Sequence, residues 1–143
     1  DSALRIAVRD RAIELLNQWP DTPNRFGSAA WEIVRSPHES VDSYAAALSW
    51  AEQLPAARAD RAVLRGVALY RLDRIDEALA TLTAAETQRL AHPWQVRRQA
   101  ALAIVHHRLR RTADAARILD MLIGPAANEP LVTEARELVA AGP

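Results

Sequence analysis

Three arginines recur at nearly even spacing. Arg35, Arg71 and Arg108 stand 36 and 37 positions apart, and each directly follows an apolar or aromatic position, namely Val34, Tyr70 and His107. A guanidinium is permanently charged and presents a planar fork of donors that matches a carboxylate or phosphate. Three such groups in register could each hold a carboxylate through paired, charge-assisted hydrogen bonds. The same positions also allow a structural use. An arginine in the last turn of a helix offsets the partial negative charge there, worth about 0.3–1 kcal/mol. Asp73, Asp76 and Glu77 also lie close enough in sequence to pair with Arg71.

Other residue types could carry chemistry, and spacing limits most of them. His106 and His107 are adjacent. Neighbouring helical residues do not share a face, so one rigid helix cannot aim both at a single metal. The working spacing is i, i+3 or i, i+4, and no Asp or Glu lies within a turn of the pair. His106 therefore reads as a partly buried helix residue, and His38 and His92, each beside a proline, as solvated loop residues. Between residues 97 and 117 lie Arg97, Arg98, Arg108, Arg110, Arg111 and Arg117 against Asp114 alone. Arginine contacts to phosphate dominate nucleic-acid affinity. These cations, however, fall on several helix faces, and Trp94 is the one stacking aromatic nearby, so a solvated or ion-paired face is the simpler reading. Trp19, Trp31, Trp50 and Trp94 read as packing residues, with Trp31 the best placed to face a ligand. Asp76-Glu77 suits the positive end of a helix. Glu134 and Glu137, three apart near the C-terminal end, read as exposed. Glycine-rich phosphate loops, nucleophile elbows, HExxH and calcium loops are missing from the sequence, which leaves no motif-level case for an enzyme. No cofactor and no metal are expected.

The elements that position these residues follow from composition. The chain has 143 residues and 15.8 kDa, with 50% hydrophobic and 25% charged residues and a formal net charge of +0. That is the size and make-up of one globular domain rather than a disordered chain. Neutrality gives no long-range pull toward nucleic acid or a membrane. With no cysteine, disulfides, thiolate catalysis and cysteine metal sites are excluded. No apolar run approaches the roughly 18 residues needed to span a bilayer, and residues 1–11 lack a signal-peptide pattern. The expected compartment is the cytoplasm, and a start at Asp1 rather than Met is expected of a piece of a longer chain. All 18 basic residues are Arg and about 30 residues are Ala. Alanine is the strongest helix former, with Arg, Leu and Glu close behind, and β-branched or aromatic runs expected of strands are missing. An Arg-only chain is the mark of a GC-rich genome.

Periodicity and prolines then divide the chain into helices. The spacing predicts helices over about 2–19, 23–35, 40–54, 58–72, 75–90, 93–109, 112–123 and 129–140. Expected inward residues include Leu4, Ala7, Val8, Leu15, Leu16 and Trp19 on the first and Val41, Tyr44, Ala47, Leu48 and Ala51 on the third. Pro20, Pro55 and Gly124-Pro125 act as stops, and Asp21 and Thr22 as caps. The turns at Asp73-Arg74 and Arg110-Arg111 are very short, so neighbouring helices run antiparallel.

Segments 70–82 and 107–119 align at an offset of 37, with Arg71/Arg108, Leu72/Leu109, Arg74/Arg111, Ala78/Ala115 and Leu82/Leu119 identical. Gly66 pairs with Ala103, small where two helices must touch. A third copy places Ala30 at the Gly66 position and Trp31, Val34 and Arg35 against Val67, Tyr70 and Arg71. Single helix pairs cannot bury their apolar faces alone, and stacking them is the solution.

This pattern resembles the tetratricopeptide repeat over roughly residues 22–123, best at 62–85. It departs from it at Ala62, where a large aromatic is usual, at Arg65, where Leu is usual, and at Asp73 and Arg110, where Gly is usual. Asp tolerates the left-handed conformation far better than Arg. More narrowly, the segments RFGSAAWEIVRSP (25–37) and VLRGVALYRLDRIDEALATL (63–82) are similar in style to the C-terminal repeat region of large planctomycete-type bacterial signalling proteins. In those proteins the region follows a kinase or WD-repeat portion.

The resemblance implies an all-α fold, a right-handed α–α superhelix of about eight antiparallel helices. Residues 1–20 would form an N-terminal capping helix, 22–54, 58–90 and 93–123 three helix pairs, and 128–141 a C-terminal capping helix. It also implies a concave groove lined by the first helix of each pair. The candidate groove residues are Trp31, Val34, Arg35, Val63, Val67, Tyr70, Arg71, Ile104, His107 and Arg108. The implied function is non-catalytic: docking of a peptide or protein segment, possibly acidic, or of a neighbouring domain of the same parent chain. One alternative is nucleic-acid binding through the 97–117 surface. Another is a small helical enzyme using His107 and the groove arginines. Self-association through apolar faces of the terminal helices is a further possibility.

Overall fold

The computed structural model describes residues 2–17, 22–122 and 128–142. These form eight α-helices and no strand: α1 (Ser2–Asn17), α2 (Thr22–Val34), α3 (Val41–Gln53), α4 (Ala59–Arg71), α5 (Ile75–Ala84), α6 (His92–Arg108), α7 (Thr112–Asp120) and α8 (Pro130–Ala141). The all-α class expected from the alanine-rich, strand-poor composition is what the chain adopts. Expected Trp19, Pro20 and Asp21 and the stop at Gly124-Pro125 lie outside the described residues.

Local chemistry sets the helix limits. Ser40, in extended conformation, accepts a hydrogen bond from the Ser43 amide at 3.1 Å and so caps α3, satisfying one of the orphan donors of the first turn. Proline opens α6 and α8 within their first two positions, where its missing N–H costs nothing. Helix α5 is shorter than its expected end at 90: after Ala84 it tightens into a 3-10 turn over Ala85–Thr87.

The two short turns are copies of one another. After α4, the amide of Asp73 donates to the Tyr70 carbonyl and that of Arg74 to the Leu69 carbonyl. After α6, Arg110 donates to His107 and Arg111 to His106 in the same way. This is the double hydrogen bond that closes a helix through a left-handed residue. Asp73 and Arg110 have φ of 60° and 61°, the two non-glycine residues with positive φ among those described. The offset of 37 read from side chains is therefore reproduced in the backbone.

Helices α2/α3, α4/α5 and α6/α7 pack as pairs, and the first helices are in turn neighbours, α2 against α4 and α4 against α6. Helix α8 lies against α6 and α7. One buried cluster runs from Phe26 through Leu64, Leu82 and Ile104 to Ala135. The small residues do what the repeat requires. Ala30, Ala78, Ala103 and Ala115 are fully buried, and a Cβ added to Gly66 would lie 2.5 Å from Cγ and Cδ2 of Leu82 on α5. Gly66 thus sets how closely α4 and α5 approach.

Two sequence expectations of burial fail. On α1 the described side chains of Ala7 and Val8 are exposed, Val8 by 61%; among the described residues α2 is the helix that packs most against α1. Val41, the first residue of α3, is 69% exposed rather than inward. No helix among the described residues is long and apolar enough to cross a membrane.

Opposite effects are expected at two backbone positions. Gly66→Ala gains helix propensity but forces a methyl into the fully buried Leu82, for a net loss of about 1–2 kcal/mol. Arg110→Gly removes a left-handed side-chain conflict and raises stability by up to about 1 kcal/mol. Urea unfolding followed by circular dichroism measures both, and an opposite sign at either position contradicts its assigned geometry.

Candidate functional site

The site begins at the end of α4. The Arg71 side chain is only 4% exposed, so its charge must find acceptors inside the protein. Nη1 and Nη2 donate to the two carboxylate oxygens of Glu134 on α8, each at 2.6 Å. Nε donates to the carbonyl of Val34 at 2.8 Å, and Nη2 reaches the Arg35 carbonyl at 3.5 Å. Val34 is the last residue of α2. Arg71 therefore caps the C-terminal end of the preceding first helix while holding α8 through a forked ion pair. Its guanidinium also lies 5.1 Å from the Tyr70 ring centroid and 5.9 Å from that of Tyr44.

Both tyrosines bind this corner through their hydroxyls. Tyr70 donates to Glu134 Oε1 at 2.9 Å. Tyr44 donates to the Ser36 carbonyl at 2.7 Å and accepts from the Glu39 amide at 3.1 Å, which pins the loop between α2 and α3. Burial, followed by the adjacent Glu134 carboxylate, pushes the Tyr70 pKa up to about 12. A neutral phenol can donate to the carboxylate, whereas a phenolate there would meet like charge.

A second anchor lies near the start of α6. Arg97 sits 4.0 Å from the Trp31 ring centroid and 4.5 Å from that of Trp94. These two rings meet edge to face, 5.5 Å apart. Arg97 also pairs with Glu129, the N-cap of α8, at 3.1 Å. Helix α8 thus spans from the start of α6 to the end of α4. Between its two acids it buries Leu131 and Val132 completely, and Ala135 follows.

The candidate groove residues divide accordingly. Val34, Val63, Val67 and Ile104 are each 0% exposed and belong to the buried core cluster. Trp31, expected to be the aromatic best placed for a ligand, is buried against Trp94 and Arg97. Tyr70 and Arg71 are committed to Glu134. The expected partners of Arg71 on α5 are not used. Arg108 pairs with Asp73 in the turn after α4, and Arg35 pairs with Glu32 on its own helix at 2.8 Å. Arg71 and Arg108 each reach back to the end of the preceding first helix, Arg71 to the Val34 carbonyl and Arg108 to Asp73 in the turn after α4. Two of the three recurrent arginines thus join successive first helices, and Arg35 does not. Near them, Pro37, Tyr44, Tyr70, Arg71, Asp73 and Arg108 line a cleft of about 300 Å³.

The basic stretch is largely turned to carboxylates. Arg97 pairs with Glu129, Arg98 lies 3.6 Å from Glu86, and Arg108 and Arg117 pair with Asp73 and Asp114. His107 is half-buried, and its Nδ1, like that of His106, is buried without a hydrogen-bond partner. Burial lowers the His106 pKa. Among the described residues no group of three His, Asp or Glu side chains could hold a metal ion.

Sequence reasoning missed Glu134, Glu129 and the role of Arg97. Glu134 was expected to be exposed, yet its side chain is 14% exposed. A signal was present: Leu131, Glu134, Ala135 and Leu138 form an i, i+3, i+4, i+7 stripe, so the acid stands on the inward face of α8. No protein-family model matches the chain, and neither does any curated protein or solved structure.

The raised Tyr70 pKa makes a pH prediction. The folded value lies above the ordinary phenol value, so the folded state holds its proton more tightly, and the contribution is complete below about pH 10. Stability is expected to fall as pH rises from about 10 to 12. In Glu134→Gln, tyrosinate absorbance should show Tyr70 ionising earlier than in the parent. An unchanged titration would contradict the contact.

Proposed function

We propose that this helical array is a non-catalytic docking module that takes a segment of a partner protein, or of a neighbouring domain of the same parent chain, beside Arg97 and the Trp31–Trp94 pair. One observation carries the reading. Arg71 on α4 and Arg97 on α6 meet Glu134 and Glu129 of α8, which packs on α6 and α7 through buried aliphatic side chains. Forked arginine pairs combine strength with geometric selectivity, and tryptophan and arginine are the residue types most often found at binding hot spots.

The tetratricopeptide-like reading belongs to this proposal. It is supported by the three stacked pairs, the buried small residues and the two turns repeated at an offset of 37. The setting implied by the sequence resemblance, a bacterial cytoplasmic signalling protein in which catalysis is done elsewhere in the chain, is part of it. Turning four arginines of the basic stretch to carboxylates favours a protein partner over a nucleic acid.

A photo-crosslinking residue at Ser28 tests the reading. Ser28 is exposed and lines a cleft of about 340 Å³ with Trp31, Trp94 and Arg97. In producing cells, the full chain should crosslink to a polypeptide segment carrying Glu or Asp, and Arg97→Gln should abolish the product. Crosslinking to nucleic acid alone, or a polypeptide product indifferent to Arg97→Gln, would overturn the docking role.

A further inference from the structure

A second cleft, of about 630 Å³, shares Arg58 with the cleft around Trp31 and Arg97 and is otherwise lined by different residues. Arg58, Arg61 and Arg65 line it from the start of α4, three and seven positions apart and so on one helix face. Thr81 lines it from α5, Gln88 from just after the 3-10 turn and Glu52 from α3, and the other lining residues are all alanines. Small side chains thus leave open the space that the arginines border.

The three arginines are not equally satisfied. Arg58 closes a fork on Asp60, at 2.9 and 2.6 Å, and reaches Asn24 at 2.7 Å. Arg65 gives Nη1 to the Thr81 hydroxyl at 2.6 Å, and its Nε lies 3.4 Å from Glu52. Among the described residues no carboxylate pairs with Arg61. Its Nη2 donates to the Glu52 carbonyl at 3.3 Å, and its Nε is buried without a hydrogen-bond partner. This half-buried cation stands at the third position of α4, near the positive end of the helix, where an anion is favoured and a cation is not.

We propose that this cleft binds a small phosphate monoester, its phosphoryl oxygens held by Arg61 and Arg65 on one wall and by Thr81 and Gln88 on the other. The proposal is independent of the docking reading. Charge calls for an anion, since Asp60 and Glu52 match Arg58 and Arg65 and leave Arg61 unmatched. The placement of donors calls for phosphate. A carboxylate offers two oxygens in one plane, whereas a phosphate ester offers three that can meet both walls, and the arginine fork fits it. The Thr81 hydroxyl accepts from Arg65, so its hydrogen is left to donate, and Gln88 carries an amide donor. The volume lies within the roughly 300–1,000 Å³ of small-molecule sites, and the alanines leave room for the organic part of the ester.

NMR of the full chain, following the arginine Nε–Hε signals at constant ionic strength, tests this with phenyl phosphate and benzoate as probes. Phenyl phosphate should shift the Arg61 and Arg65 signals saturably and bind at least about ten-fold more tightly than benzoate, because more charged hydrogen bonds are made. Arg61→Gln should weaken phenyl phosphate by at least about ten-fold for the same reason. Arg61 also caps α3, so Gln88→Glu, at an exposed position, gives a second variant that leaves the fold alone and should weaken binding by placing a carboxylate in the cleft. Benzoate binding as tightly as phenyl phosphate, shifts spread evenly over all arginines, or affinity unchanged in both variants would overturn the site. A phosphoserine peptide that binds where phenyl phosphate does not would assign the cleft to a modified polypeptide and overturn the small-molecule ligand.

Discussion

A buried guanidinium governs this fold. Arg71 is removed from water, and a charge in that position is tolerated only when acceptors surround it. Here they are the last carbonyl of α2, the carboxylate of Glu134 on α8, and the ring faces of Tyr44 on α3 and Tyr70 on α4 itself. Meeting those demands fixes where α2 ends, how α4 lies beside it and where α8 comes to rest. The hydroxyl of Tyr70 adds a neutral donor to the same carboxylate. The corner is thus satisfied by fixed protein groups instead of water, and the loss of any one acceptor is felt by the others.

The repeat spreads a weaker form of this device along the array. Arg108 reaches back to Asp73 as Arg71 reaches back to Val34 and Arg35. The first is an exposed pair, which contributes little by itself, whereas the second is enclosed. Burial makes the difference: Arg71 is enclosed by Glu134 of α8, the end of α2 and the rings of Tyr44 and Tyr70. At the other end of α8, Arg97 obtains its environment from two tryptophan faces and Glu129. Helix α8 is therefore defined by two arginines on other helices as much as by its own apolar stripe.

Helix positions were largely legible in the sequence because alanine content, proline stops and a 3.6-residue period act locally. The offset of 37 was legible because close helix contact restricts residue size, as Gly66 against Leu82 demonstrates. The left-handed turn at Asp73 followed from the same alignment, and Arg110 adopts it despite the cost to a non-glycine residue. The site was less legible. Arginine spacing located Arg71 but not its partner, because Glu134 lies 63 residues away and nothing local joins them. The exposed faces of α1 and α3 were misread for a related reason. Periodicity identifies an apolar stripe but not whether a neighbour exists to cover it, and Val8 and Val41 have too little around them.

The most direct measurement is a double-mutant cycle on Arg71 and Glu134, using Arg71→Met, Glu134→Met and the pair, with stability read from urea unfolding. The account requires each single variant to lose about 3–5 kcal/mol, since each leaves a buried charge unpaired, and the double variant to lose much less than their sum. Losses that add within about 0.5 kcal/mol would show that the two residues do not depend on one another, and the placement of α8 would then need another cause.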